Sequence, residues 1–274
     1  MRRPQRLLLI LMLISTGCAN NSLPRGTSDP QTIVLRLSRG NFPVLVYEPK
    51  GEIKGTLLFG SGDGGWKIWE ERACRSLALD GWRVIGWDCR QYASDRFVPY
   101  GAQILGRDLQ TMVSVGIGGR SQGKPVFYGG YSTGAEQAVS GSAWMLSRQG
   151  ASECLPRGLL LVAPGERGRY GITEADLIGM TPHGVGSFGL ADLASSLGQI
   201  PIAQIHGTLD PLDSTKWFEG SGKNQIHHRI IMIQGNGHFF GNADEFFQVE
   251  VCKAADWLLQ CSQASFSSSK RNCP

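Results

Sequence analysis

Short apolar runs rich in β-branched residues alternate along this chain with longer stretches of helical periodicity. The strand-type runs are Ile33 to Leu37, Val44 to Tyr47, Thr56 to Phe59, Arg83 to Trp87, Val126 to Tyr128, Gly158 to Val162, Ile202 to Ile205 and Arg229 to Ile233. The first two flank Arg39-Gly40-Asn41, a hairpin-type turn, whereas later ones are separated by helical stretches such as Trp66 to Asp80, Thr133 to Ser147 and Asp244 to Leu259. This order predicts the α/β class: an antiparallel start feeding an eight-stranded, mostly parallel sheet with helices on both faces. Between Pro164 and Gln199 the regular pattern breaks down into glycine-rich pieces, including Gly165-Glu166-Arg167-Gly168 and Thr181-Pro182-His183-Gly184. In sheets of this kind an insertion after the sixth strand commonly forms a cap, and residues 164–199 are expected to be a small cap-like insertion of that sort.

The two ends read differently from the middle. A cationic stretch, Met1 to Arg6, precedes the apolar run Leu7 to Ile14, then small residues and Cys18, the order of an export signal over residues 1–17. The run is too short to cross a bilayer as a mature helix. Ile14-Ser15-Thr16-Gly17-Cys18 resembles the lipobox of bacterial lipoproteins, with Ser15 where leucine is usual. That resemblance implies a lipid on Cys18, a flexible tether over residues 18–30 and a periplasmic location in the bacterial cell envelope, anchored to the membrane. A soluble periplasmic product and an uncleaved anchor are the alternatives. The folded domain is expected over residues 31–262, followed by a polar tail over 263–274.

Composition narrows the class of function. Hydrophobic residues make up 41% and charged residues 18%, so one domain has enough apolar material for its own core. The formal charge of +4 includes Arg2, Arg3 and Arg6 of the signal, which leaves the rest of the chain at +1. With no run of Lys or Arg, neither a nucleic-acid partner nor a polybasic membrane patch is indicated. Cys74, Cys89, Cys154, Cys252, Cys261 and Cys273 lie beyond Cys18, without zinc-like C-x-x-C spacing. Some disulfides and some buried thiols are expected, with fifteen connectivities open. No metal site and no cofactor motif is read: the glycine-rich loop Gly60 to Gly65 is not followed by the G-K-[ST] of a phosphate loop.

The strongest chemical signal is Gly130-Tyr131-Ser132-Thr133-Gly134, a G-x-S-x-G sequence directly after an apolar strand and directly before a helix. In a chain with 37 glycines the five letters alone carry little; their place at a strand-to-helix turn carries the argument. Such a turn holds the serine in a strained conformation above the sheet, which makes Ser132 the candidate nucleophile. A serine hydroxyl needs a base. His238, in the loop Gly235-Asn236-Gly237-His238-Phe239 between the last strand and the last helix, fits best. His206 ends a strand, His227 and His228 lead into one, and His183 lies in the insertion. The carboxylate that orients the imidazole should follow the seventh strand, where Gly207-Thr208-Leu209-Asp210-Pro211 supplies Asp210, with Asp213 as the alternative. Backbone donors for an oxyanion are expected from Thr133, after the nucleophile, and from Asp63 in Gly60-Ser61-Gly62-Asp63-Gly64-Gly65-Trp66. Gly62, Trp66 and Asp213 are the expected substrate contacts.

Together, Ser61-Gly62-Asp63-Gly64-Gly65-Trp66, Gly130-Tyr131-Ser132-Thr133-Gly134-Ala135 and Gly237-His238-Phe239 resemble the signature segments of the bacterial virulence protein VirJ/AcvB family. The resemblance extends over about residues 55 to 260. It implies a periplasmic α/β-hydrolase fold with Ser132, Asp210 and His238 as a triad, acting on the aminoacyl ester of lysyl-phosphatidylglycerol. Thr133 stands where the family usually has phenylalanine, and Asn236-Gly237 stands in place of Gly-His before His238. A lysyl group would need an acidic partner, for which Asp63, Glu166 and Asp213 are candidates. Other readings are a general carboxylesterase or lipase, and a non-catalytic accessory protein that binds a secretion-system or envelope protein.

Overall fold

In the computed structural model, the described residues are 29–94, 100–116, 119–148, 154–174, 179–211, 215, 217, 227–240 and 244–269. The expected signal peptide, Cys18, most of the tether, and Asp213 lie outside them.

All eight strand-type runs form strands: β1 (Gln31–Leu37), β2 (Gly40–Tyr47), β3 (Gly55–Gly60), β4 (Trp82–Trp87), β5 (Val126–Tyr131), β6 (Leu159–Val162), β9 (Ile202–Gly207) and β10 (His228–Ile233). They make one sheet in the order β1-β2-β4-β3-β5-β6-β9-β10. β2 runs antiparallel to both β1 and β4, and every other pairing is parallel. The hairpin turn sits at Ser38-Arg39, one position earlier than expected, because Gly40 already pairs with Leu37 as the first residue of β2.

Successive side chains of a strand point to opposite faces, and the sheet divides its apolar residues accordingly. Leu58, Ile85, Tyr128, Leu159 and Leu161 face one buried cluster, with residues from α3 (Ala102–Ser114) and α4 (Thr133–Ser147). Leu57, Phe59, Val84, Phe127, Leu160 and Val162 face the other, with residues from α1 (Ile68–Leu79) and the C-terminal helix α6 (Asp244–Ser269). A five-residue helix α2 (Cys89–Ala93) follows β4. The α6 helix continues well past Leu259, so most of the expected tail is helical. No glycine or proline occurs between Asp244 and Ser269 to stop it.

The insertion is more ordered than its composition suggests. A two-stranded antiparallel ribbon of β7 (Arg167–Arg169) and β8 (Ser187–Gly189) leads into a short helix α5 (Leu190–Leu193) and a 3-10 turn. Its contacts run along the flank of α4: Gly165 N–H donates to the Glu136 carboxylate, the Gln137 amide donates to the Arg169 carbonyl, and the Ser140 and Tyr170 hydroxyls are 2.6 Å apart. With the sheet and α3 on its other sides, α4 is buried from Gly134 through Ala143.

Because β3, β5, β9 and β10 are mutually parallel, the loops that follow them emerge at the same edge of the sheet. This topology brings together segments more than a hundred residues apart in sequence.

Candidate active site

β5 ends at Tyr131 and α4 begins at Thr133, so Ser132 alone makes the turn between them. Its backbone has φ 50° and ψ −120°, a conformation that side chains disfavour. Hydrogen bonds hold it there, from Ser132 N–H to the Val162 carbonyl at 2.8 Å and from Glu136 N–H to the Ser132 carbonyl at 3.0 Å. The turn also requires α4 to press against the end of β3. A side chain at Gly134 would begin 2.5 Å from the Gly60 carbonyl, so only glycine fits that approach.

Asp210 follows β9 and His238 follows β10, and their loops are joined by Leu209 N–H donating to the Asn236 carbonyl at 2.9 Å. His238 Nδ1 lies 2.6 Å from Asp210 Oδ2, and His238 Nε2 lies 3.2 Å from Ser132 Oγ. The Asp210 side chain is fully buried and that of His238 is 11% exposed. A carboxylate withdrawn from water is tolerable when it accepts a charge-assisted bond, and here the imidazole supplies one. The structure thus brings Ser132, His238 and Asp210 into one hydrogen-bonded line, open to solvent at the serine end.

The loop after β3 completes the surroundings. A side chain at Gly62 would sit 2.9 Å from the Tyr131 ring and 3.6 Å from Ser132 Cβ, so this loop lies directly beside the serine, and Asp63 follows it. Three carboxylates fix the loop from below. Glu70 accepts from Gly62 N–H and Lys67 N–H, Asp88 accepts from Trp66 N–H, and Glu71 accepts from the Trp66 indole. Trp66, one of the expected substrate contacts, is packed on the sheet and partly exposed. Its ring covers the Cα of Gly86 and stacks on Tyr47 at 6.5 Å between centroids. The absence of a side chain at Gly86 makes the notch that takes the indole, which a reading of the loop alone could not foresee.

Several residues that the sequence pattern did not single out also shape the site. The Tyr131 hydroxyl donates to the His238 carbonyl at 2.9 Å and steadies the histidine loop. Burial, with Glu70, Asp210 and Asp63 nearby, raises the pKa of that phenol and keeps it protonated as a donor. Trp69 lies between Tyr131 and the exposed Phe239, with ring centroids 5.9 and 5.7 Å away. Leu209, beside Asp210, is also exposed, so the acid and histidine loops both present an apolar side chain to solvent. Burial pushes the Glu70 carboxyl up to about 7, against the lowering effect of the backbone N–H groups around it. Cys74 and Cys89 are fully buried, and burial drives their thiols well above the ordinary value, as expected of small apolar core residues.

No group of His, Cys, Asp and Glu residues suited to holding a metal occurs among the described residues. Likewise, no helix among them is long and apolar enough to cross a membrane.

Comparison with known proteins agrees with this layout. Residues 55–252 match the family model described as bacterial virulence protein (VirJ). No curated protein matches in sequence. Among solved structures, Est1E from Butyrivibrio proteoclasticus superposes with a TM-score of 0.60 at 12% identity, covering 85% of this chain and 100% of that one. An esterase from Pyrobaculum calidifontis gives 0.58 at 19% identity, covering 88% and 85%. A serine hydrolase described as lacking a lid, from Xanthomonas campestris, gives 0.54 at 14% identity, covering 85% and 96%. At these identities the likeness establishes the α/β-hydrolase fold.

Proposed function

The chain belongs to the VirJ family of bacterial virulence proteins, and we propose that it is a serine hydrolase that cleaves carboxylic esters through an acyl-enzyme. The observation that carries this reading is the line of hydrogen bonds from Ser132 through His238 to Asp210, 3.2 and 2.6 Å long. In the proposed reaction Ser132 Oγ attacks the ester carbonyl while His238 Nε2 takes its proton. Asp210 holds Nδ1 as the donating nitrogen and stabilises the imidazolium that forms. The N–H groups of Thr133 and Asp63 receive the negative charge on the carbonyl oxygen. His238 returns the proton to the departing alcohol, and water then releases the acyl group by the same route in reverse.

The esterases among similar structures support an ester as the bond cleaved. For the substrate, family resemblance favours the aminoacyl ester of lysyl-phosphatidylglycerol. An envelope location with a lipid on Cys18 would place the enzyme beside such a lipid. The exposed apolar side chains of Leu209 and Phe239, next to Asp210 and His238, suit a partner with an acyl chain. The general carboxylesterase differs only in the groups on either side of the same bond.

A fluorophosphonate probe tests the chemistry: it should label the wild-type chain and spare Ser132→Ala. Folded wild-type protein that resists labelling would overturn the serine mechanism. Lipid extracts incubated with enzyme test the substrate. Persistence of lysyl-phosphatidylglycerol while simple esters are consumed would replace the lipid reading by the carboxylesterase.

A further inference from the structure

A buried carboxylate that touches none of the three catalytic side chains lies directly beneath the proposed oxyanion loop. Glu70, in the first turn of α1, is 1% exposed. One oxygen accepts from Gly62 N–H at 3.4 Å and the other from Lys67 N–H at 3.0 Å, so a single side chain ties together both ends of the turn between β3 and α1. Capping a helix N-terminus would need only the second bond. The first reaches eight residues back, to the N–H of Gly62, the residue immediately before Asp63.

The geometry of that turn gives the first bond its importance. The Gly62 carbonyl accepts from Gly65 N–H at 3.1 Å and from the Ser61 hydroxyl at 3.1 Å. In a trans peptide the following N–H points away from the carbonyl, and no cis peptide occurs among the described residues. Fixing the Gly62 carbonyl therefore sets the Asp63 N–H to point the opposite way within the same peptide plane. Glu70 fixes the same residue through its N–H, so Gly62 is held at both ends. The Gly62 Cα is also lodged against the Tyr131 ring, beside Ser132.

We infer that Glu70 is a positioning residue for the oxyanion hole: by holding Gly62 N–H it sets the direction of the Asp63 N–H toward the reacting carbonyl. The inference rests on the serine-esterase reading above. A group that acts this way strengthens only the interaction made as charge develops on the carbonyl oxygen, so its loss should appear in kcat and leave KM largely alone.

The experiment compares wild type, Glu70→Gln and Glu70→Ala as full chains. It measures hydrolysis of p-nitrophenyl butyrate and inhibition by an alkyl trifluoromethyl ketone, whose adduct with serine carries the oxyanion. Glu70→Ala should lower kcat on the order of 10- to 100-fold, with KM within about 3-fold, and weaken the ketone by a similar factor. Glu70→Gln, nearly isosteric and able to accept only one of the two N–H bonds, should lose less and covers the case in which the alanine variant fails to fold. Unchanged kcat and unchanged ketone affinity in a folded variant, with only a lower melting temperature, would make Glu70 a helix cap and overturn the inference. Wild type that neither hydrolyses the ester nor labels with fluorophosphonate would overturn the esterase reading itself, and this inference with it.

Discussion

The two edges of the main sheet carry charges in opposite ways. At the edge where β3, β5, β9 and β10 end, Asp210 and Glu70 are buried, each carboxylate accepts hydrogen bonds from named protein donors, and Ser132 sits in a disfavoured backbone conformation. At the opposite edge lies a hollow of about 560 Å³ lined by Lys50, Lys54, Lys124, Glu48, Glu52 and Asp80 among others. There Lys54 pairs with Asp80 and Asp256, Lys124 with Glu52 and Arg83 with Glu48, most of these side chains being a third or more exposed. Such pairs in contact with water contribute little. The two edges differ in cost: desolvated carboxylates and a strained serine persist only where the surrounding structure compensates them, and here they gather around the loops that flank Ser132.

The sharpest way to break this contrast is to remove the groups at the costly edge. Ser132→Ala should reduce ester hydrolysis by roughly 10⁵- to 10⁶-fold and leave the melting temperature almost unchanged, since Cβ and the backbone stay in place and only the hydroxyl is lost. His238→Ala should match it, and the double variant should lose little more, because the two act as one unit. Asp210→Asn should cost somewhat less, on the order of 10⁴-fold near neutral pH, by favouring the wrong imidazole tautomer. Steady-state kinetics on p-nitrophenyl butyrate, with circular dichroism to verify folding, decides all three. An active Asp210→Asn would mean that a different carboxylate orients His238.

A smaller effect sharpens the packing side of the comparison. Gly134→Ala would place a methyl 2.5 Å from the Gly60 carbonyl, where backbone on both sides prevents relief. It should destabilise the fold by about 2–4 kcal/mol, and activity should fall as β3 and α4 are forced apart. Urea denaturation gives the first number. A neutral result would show that the serine turn has slack that the geometry does not suggest.

Glu70 links the costly edge to pH. Its carboxyl is raised from 4.5 to about 7 chiefly by burial, so between those values the native chain holds a proton that the unfolded chain has released. The contribution is therefore fully present below about pH 4.5 and is lost as pH rises through 7. Relative to Glu70→Gln, which stays neutral throughout, wild-type stability should decline by on the order of 3 kcal/mol from pH 4.5 to 8. Parallel urea curves for the two chains at several pH values test this. A constant difference would mean that burial in the native chain does not raise the Glu70 carboxyl above its unfolded value.

Much of this arrangement was legible in the sequence because it is written in local patterns. Each strand of the main sheet is a short apolar run, and Ser132, Asp210 and His238 each stand in a glycine-marked loop directly after such a run. What was not legible depends on meetings between distant segments. The ribbon of β7 and β8 has three-residue strands, Arg-Gly-Arg and Ser-Phe-Gly, too short and too polar to show a period of two. Trp66 reads as an exposed aromatic in a glycine loop until Gly86, twenty residues on, is seen to leave a notch for it. Glu70 reads as an ordinary first-turn acid of an amphipathic helix. Only the return of the Gly62 N–H to its carboxylate, at a distance of 3.4 Å, distinguishes it.

The smallest effect belongs to the opposite edge and tests the contrast from its cheap side. Lys54 bridges Asp80 at 2.9 Å and Asp256 at 2.8 Å, tying the segment that enters β3 to the C-terminal end of α1 and the middle of α6. Both contacts are short enough for charge-assisted hydrogen bonds. The three side chains are 33%, 34% and 37% exposed, however, so water already solvates the carboxylates and screens the attraction. Lys54→Met keeps the aliphatic stem and removes the charge. It should cost no more than about 1 kcal/mol in urea and leave kcat and KM for p-nitrophenyl butyrate unchanged. A loss of several kcal/mol would mean that the two acids depend on Lys54 as Asp210 depends on His238, and the division between a costly edge and a cheap one would fail at this end.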